Sequence, residues 1–225
     1  MNKVIFIKKN ERILSIIYRM FGRNKINING RGNTILWGNV FMKRCRIRVV
    51  GENNRIILSS NLSRISDSSI TIYGSNCSIF IGEKCNLNHL HLYIEDSNGQ
   101  IEIGKHLTVT GECHIDVIEG KKVTIGNECL FVTDISFRVG DSHSILDQFK
   151  GNRINPSQDI TIGSHVWIGY GVKILKGTCI PNDSIVATGA IVTNKKFPAN
   201  CIIGGIPAKV LKEGVTWDSN RLPIE

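Results

Sequence analysis

Residues 160–192 read ITIGSHVWIGYGVKILKGTCIPNDSIVATGAIV. An aliphatic side chain recurs at every sixth position: Ile162, Ile168, Ile174, Ile180, Val186 and Val192. Four residues after each of the first five stands a small or β-branched residue, Val166, Val172, Thr178, Ser184 or Ala190. A period of six fits neither an α-helix nor an alternating strand. It fits a triangular coil whose sides are each a short strand and a turn, with the aliphatic pointing inward at each corner. Such coils stack into a parallel β-helix, a solenoid in which neighbouring turns share one core.

A second, wider repeat precedes this stretch. The turn pairs Gly32-Asn33, Asn53-Asn54, Ser75-Asn76, Asn98-Gly99 and Gly120-Lys121 punctuate residues 30–126. The triplets Ile79-Phe80-Ile81, Ile101-Glu102-Ile103 and Val123-Thr124-Ile125 close on Gly82, Gly104 and Gly126, which are 22 residues apart. Three hexapeptides make 18, so these coils are expected to carry about four extra residues at one corner, stacked at about 4.8 Å per coil. Asn and Gly suit such corners because they tolerate left-handed backbone angles. The next rung ends at Gly163, 37 residues after Gly126 and 15 more than the repeat. An insertion therefore lies within 134–159. It reads as a polar loop broken by Gly140, Gly151 and Pro156, and it carries His143. A loop of that length on an economical solenoid is expected to be functional.

Composition sets the limits. A chain of 225 residues suits one solenoid with appendages: an N-terminal cap over 1–29, the β-helix over 30–204 and a tail over 205–225. Only 7% of residues are aromatic while Gly numbers 22, which favours a turn-rich β fold over a helical one. The net charge of +9 points to anionic partners. The basic residues are scattered and no nucleic-acid motif occurs, so nucleic acid is not an expected partner. Seven cysteines stand singly without a C-x-x-C pair, which excludes a complete disulfide framework and fits small buried side chains in a reducing compartment. The N-terminal apolar content is interrupted by Lys8, Lys9, Glu11 and Arg12 and is too broken for a signal peptide or a membrane span. A cytoplasmic location follows as the expectation, with membrane contact at most peripheral. Ile13, Ile16, Ile17 and Met20 are spaced for a short helix that would cap the first open coil.

These residues carry a resemblance. The hexapeptide run, the ending Gly205-Ile206-Pro207-Ala208-Lys209, and His143 placed 24 residues before Trp167 in Val166-Trp167-Ile168-Gly169 together resemble the hexapeptide-repeat acyltransferases. The wide N-terminal coils, the segments His143-Ser144-Ile145-Leu146-Asp147 and Arg153-Ile154-Asn155-Pro156, and Trp217 are similar to the members that O-acetylate capsular glycans such as polysialic acid. The resemblance implies an all-β fold: a left-handed parallel β-helix with an insertion loop and short terminal helical segments, assembled as a homotrimer. It implies O-acetyl transfer from acetyl-CoA to a hydroxyl of a surface glycan, which the charge suggests is anionic.

Acyl transfer from a thioester to a hydroxyl needs a base, an oxyanion donor and positioning of both substrates. Histidine titrates near neutrality and is the natural base, and His143 is the candidate. Asp141, Asp134, Asp147 or a backbone carbonyl could orient its ring. Trp167 precedes the inward Ile168, so it should point outward as a wall for sugar or pantetheine. By resemblance, Gly171, Val172, Gly189 and Ala190 line the pantetheine arm, and Thr193, Lys195, Lys196 and Lys209 approach the adenosine phosphates. No metal is expected. A zinc site among His89, His91, His106 and His114 fails on register, because His91 lies nine residues after Gly82 and His114 ten after Gly104. Two alternatives stand beside glycan acetylation: transfer to a small neutral sugar or nucleotide sugar, and a non-enzymatic solenoid that binds a polyanion.

Overall fold

The computed structural model describes residues 2–6, 22–59 and 62–224; for Val4, Ile5 and Phe6 it describes the backbone only. The chain winds as a left-handed parallel β-helix with three faces of eight, nine and eight strands. Each coil visits face A, then face C, then face B. Thr34–Trp37, Gln100–Ile103, Lys122–Ile125 and Ile160–Ile162 belong to face A. Thr108–Val109, Leu130–Phe131 and Trp167–Ile168 belong to face C, and Leu90–Glu95, Cys113–Val117, Ile135–Arg138 and Lys173–Leu175 to face B.

The six-residue period becomes a set of inward columns. Ile162, Ile168, Ile174, Ile180, Val186 and Val192 are at most 1% exposed, and the alternate residues of the same strands face outward. These aliphatics sit on the flat faces. The corners are filled instead by the residues four positions later, from Val166 to Ala190, which are equally buried. The placement expected from the sequence is therefore reversed between face and corner.

The 22-residue coils widen at one corner only. From face B to face A the chain takes ten residues between Ile115 and Ile125, and six between Ile174 and Ile180. The added residues lengthen both flanking strands and form the turns at Asn53, Asn76, Asn98 and Gly120, all at positive φ between 55° and 66°. Buried Asn54 shows how such a corner is held. Its side chain donates to Gly74 O at 2.8 Å and accepts from the Cys77 N–H at 2.8 Å, linking its coil to the next. Cysteine is a corner and core residue here. Six of the seven thiols are buried, and burial pushes those of Cys85 and Cys129 up to about 11.

Several expectations need correction. The solenoid starts before residue 30, because Lys25–Asn29 pairs with Arg46–Val50 and Lys3–Phe6 with Thr34–Trp37. The strand Ile135–Arg138 is part of face B, so the inserted segment leaves the stack only after it. Among the described residues the C-terminal end contains no helix. Cys201–Gly205 closes face C and turns at Ile206-Pro207 into Ala208–Glu213, which runs antiparallel to it. The short helix expected around Ile13, Ile16, Ile17 and Met20 lies outside the described residues. Among the described residues no helix is long and apolar enough to cross a membrane. Finally, His91 and His114 are direct register partners on face B. The coil of His114 has one more residue at the corner Thr110–Glu112 and one fewer before Lys122, so the offset counted from the glycines cancels within the coil.

The Asn54 bridge predicts a stability effect. Asn54→Ala strands a buried N–H and a buried C=O, each costing about 1–3 kcal/mol. The urea midpoint should fall while the slope of the transition stays constant. An unchanged midpoint would show that water replaces the side chain at this corner.

Candidate active site

The inserted segment leaves at the widened corner, where the coils narrow from 22 residues to 18. It is a small hairpin. Ile154 N–H donates to Ile145 O at 2.8 Å, and Asp147 N–H to Asn152 O at 2.8 Å. The Asp147 carboxylate accepts from the N–H groups of Phe149 and Lys150 at 3.0 and 2.7 Å. The tip is less polar than the sequence suggested. Ile145, Leu146, Phe149 and Ile154 are all more than half exposed.

One buried residue organises this segment. Asn155 is 6% exposed, and its amide donates to His143 O and to Asp141 Oδ2, both at 2.8 Å. Its carbonyl oxygen accepts from Ile145 N–H at 2.8 Å and Arg153 Nε at 3.1 Å. Asp141 also pairs with Lys176 on the coil beneath. Glu119 holds the far end, accepting from Arg153 at 2.5 Å and from Ser157 N–H at 3.0 Å. The Lys176 ammonium and the Asn155 amide hold the Asp141 carboxyl below the usual carboxylate range. Hydrogen bonds from Ser157 and Arg153 do the same for Glu119.

His143 itself is exposed, and among the described residues neither ring nitrogen has a partner. The three acids proposed to orient it are engaged elsewhere: Asp141 with Lys176, Asp134 with Lys173 at 3.0 Å, and Asp147 within the hairpin. Beside the segment lies a cleft of about 440 Å³ lined by Arg138, Gly140, Asp141, Ser142, Leu175, Lys176, Thr193 and Asn194.

Trp167 does not join His143 within one chain. It lies on face C, 38% exposed, whereas the inserted segment leaves from the corner between faces B and A. Trp167 belongs to an aromatic group that the hexapeptide spacing does not indicate. The tail folds back so that Trp217 stacks on His165 at 4.5 Å, donates from Nε1 to His165 O at 2.8 Å, and stands 6.1 Å from Trp167. His165 Nδ1 meets Asp183 Oδ1 at 2.9 Å. Nothing in a hexapeptide pattern links residue 165 to 217.

The residues expected to bind coenzyme A divide between the two edges of face B. Gly171 and Gly189 occupy successive coils at the edge next to face C, both at φ +71°. A Cβ at Gly189 would meet nothing within 4 Å, so this edge presents bare backbone to an extended ligand. Val172 and Ala190 are fully buried and can offer only backbone. Thr193 lines the cleft at the opposite edge, where Lys195 and Lys196 are exposed; Lys209 lies on the final antiparallel strand.

The polysialic acid O-acetyltransferase of Neisseria meningitidis is 32% identical to this chain over 173 residues, covering 76% of this chain and 79% of its own. The chain belongs to the hexapeptide-repeat O-acetyltransferases. A polysialic acid O-acetyltransferase of Escherichia coli O1:K1 is 33% identical over 55% of this chain and 40% of its own. The solved structure of the polysialic acid O-acetyltransferase OatWY matches with a TM-score of 0.69 at 27% identity, covering 99% of this chain and 93% of that one. The polySia-specific acetyltransferase NeuO matches at 0.61 and 25%, over 88% and 83%. No protein-family model matches the sequence.

In this O-acetyltransferase the acids that tie down the inserted segment set a pH limit. Both carboxyls have folded pKa values below their unfolded ones. Their contribution is therefore complete above the unfolded carboxylate range, about 4, and is lost as pH falls through the depressed values. Hydrogen exchange at Ile145 and Ile154, corrected for intrinsic rate, should accelerate only in that acid window. Asn155→Ala should accelerate it at neutral pH as well. Protection that survives Asn155→Ala would remove this residue from the support of His143.

Proposed function

We propose that the chain transfers acetyl from acetyl-CoA to a hydroxyl of an anionic surface glycan, in a site completed between copies of a homotrimer. The observation that carries this reading is a supported but solitary His143. Its backbone is fixed by buried Asn155, while among the described residues its ring nitrogens have no partner and Trp167 stands on another face. A neighbouring copy that brought face C against the inserted segment would unite His143 with Trp167 and Trp217. It would also cover Ile145, Leu146, Phe149 and Ile154. One imidazole nitrogen takes the acceptor hydroxyl proton as the oxygen attacks the thioester carbonyl. Collapse of the tetrahedral adduct breaks the C–S bond, and the imidazolium returns its proton to the departing thiolate. Gly171 and Gly189 give the pantetheine arm a smooth edge, and Thr193, Lys195, Lys196 and Lys209 are the candidates for contact with coenzyme A phosphates.

Charge supports an anionic polymer as acceptor. Residues 22–88 hold ten Lys or Arg against three Asp or Glu, whereas residues 89–225 hold thirteen against fifteen. The basic excess therefore lies on the early coils and is not scattered. From Arg48 on face B to Leu175 at the cleft is five coils, about 24 Å at 4.8 Å per coil. A polyanion can span that distance, and a monosaccharide cannot.

Two tests follow. Acetyl-CoA turnover, followed as free thiol, should drop by ~10²–10⁴ in kcat for His143→Ala. Mixing His143→Ala with an impaired Trp167→Ala should restore up to about a quarter of wild-type activity by random assortment of copies. No recovery would place the whole site in one chain, and near-full turnover by His143→Ala would remove it from the mechanism.

The second test measures the acceptor KM at saturating acetyl-CoA. For sialylated polymer it should rise steeply with salt, and Arg46→Glu with Arg48→Glu should flatten that rise. A neutral sugar acetylated as well as the polymer, with no salt response from either, would favour the small-sugar alternative.

A further inference from the structure

The histidines that the sequence separated are adjacent on the outer surface of face B. His91 and His114 pair in register on neighbouring coils, and their rings stack at 4.8 Å with 28° between planes. Glu112 precedes His114 at the corner that holds the extra residue. One of its oxygens, Oε1, stands 2.8 Å from His114 Nε2 and 3.5 Å from His91 Nε2. Two ligands on one tetrahedral zinc stand about 3.3 Å apart, given Zn–N and Zn–O lengths near 2.0–2.1 Å. The three donor atoms lie within 4.8 Å of one another, so small side-chain rotations gather them on one ion.

The outer contacts suit the same purpose. Ser69 Oγ lies 2.9 Å from His91 Nδ1 and occupies the nitrogen that points away from the cluster. A partner on one ring nitrogen fixes the tautomer and leaves the other free to ligate, as around established metal centres. An ion pair alone would require only one histidine beside Glu112. Here two imidazoles of one stacked pair turn the same nitrogen toward the same oxygen.

We propose that His91, Glu112 and His114 bind a divalent first-row metal ion, best suited to Zn²⁺, through two imidazole nitrogens and one carboxylate oxygen. The set leaves a fourth position open to water. It lies on the same face as the cleft but two and three coils away from Lys173, so its ion clamps adjacent coils and takes no part in proton transfer at His143. The proposal is independent of the acceptor and of acetyl transfer.

The test is equilibrium dialysis of the full chain, stripped with EDTA, against ZnCl₂, followed by metal analysis. CoCl₂ is used in parallel for its visible absorption. The wild type and Cys179→Ser, which removes the exposed thiol, should each take one ion per chain and show cobalt bands. The double variant His91→Ala/His114→Ala should lose the ion and the bands at the same free metal concentration. The thermal midpoint should rise with Zn²⁺ in the wild type and stay fixed in the double variant. His106→Ala should behave as the wild type. Substoichiometric zinc in the wild type, absent cobalt bands, or binding retained by the double variant would mean an adventitious ion only and would overturn the proposal.

Discussion

Each coil of this solenoid can satisfy its backbone hydrogen bonds only on the coils before and after it. A parallel ladder at about 4.8 Å spacing forces every strand into register with two neighbours, and a one-residue slip would turn its core residues to solvent. Variation is therefore confined to corners. The added residues of the 22-residue coils, the extra residue at Thr110–Glu112 and the inserted segment all obey this limit. The insertion is bracketed by rungs that cannot move: Ile135–Arg138 pairs on both sides, and Ile160–Ile162 resumes beneath Lys122–Ile125. An exposed segment thereby gains a defined origin and a defined return.

What the ladder does for the ends of the segment, Asn155 does for its interior. A buried amide that satisfies both donor and acceptor positions is a strong constraint, because breaking any one bond leaves a polar group unpaired in a dry site. Four groups converge on it: the backbone at His143 and Ile145 and the side chains of Asp141 and Arg153. The charged groups at the rim add to this without being buried themselves, so they respond to pH while the amide does not. His143 is thus held by its main chain, and among the described residues its ring has no partner.

Legibility followed periodicity. The hexapeptide run was readable because every sixth residue answers to one packing requirement, and all six aliphatics from Ile162 to Val192 are core. Position 143 was readable because the interval from Gly126 to Gly163 broke the repeat. Face and corner were exchanged, since a period alone has no phase. The stacked pair His91 and His114 was missed for a related reason: counting from Gly82 and Gly104 assumes that no residue is gained between glycine and strand, and Thr110–Glu112 gains one. The group of His165, Trp167 and Trp217 could not be read at all, because the tail that brings Trp217 back is not part of any repeat. The distribution of charge was open to inspection, but net charge conceals it. Only the coil order turns a count over residues 22–88 into a location.

The last described strand runs backwards, and this changes the edge that face C presents. The open end of a parallel ladder is a template: any further copy could dock its own first coil there and continue the column, end to end, as a filament. Ala208–Glu213 occupies that position on face C with reversed polarity. An antiparallel strand presents its N–H and C=O groups in alternating close and wide pairs, whereas a parallel edge expects even spacing. The mismatch makes face C a poor template for a further parallel strand. On this face the chain thereby avoids the competing habit of its own fold, which is to polymerise along its axis.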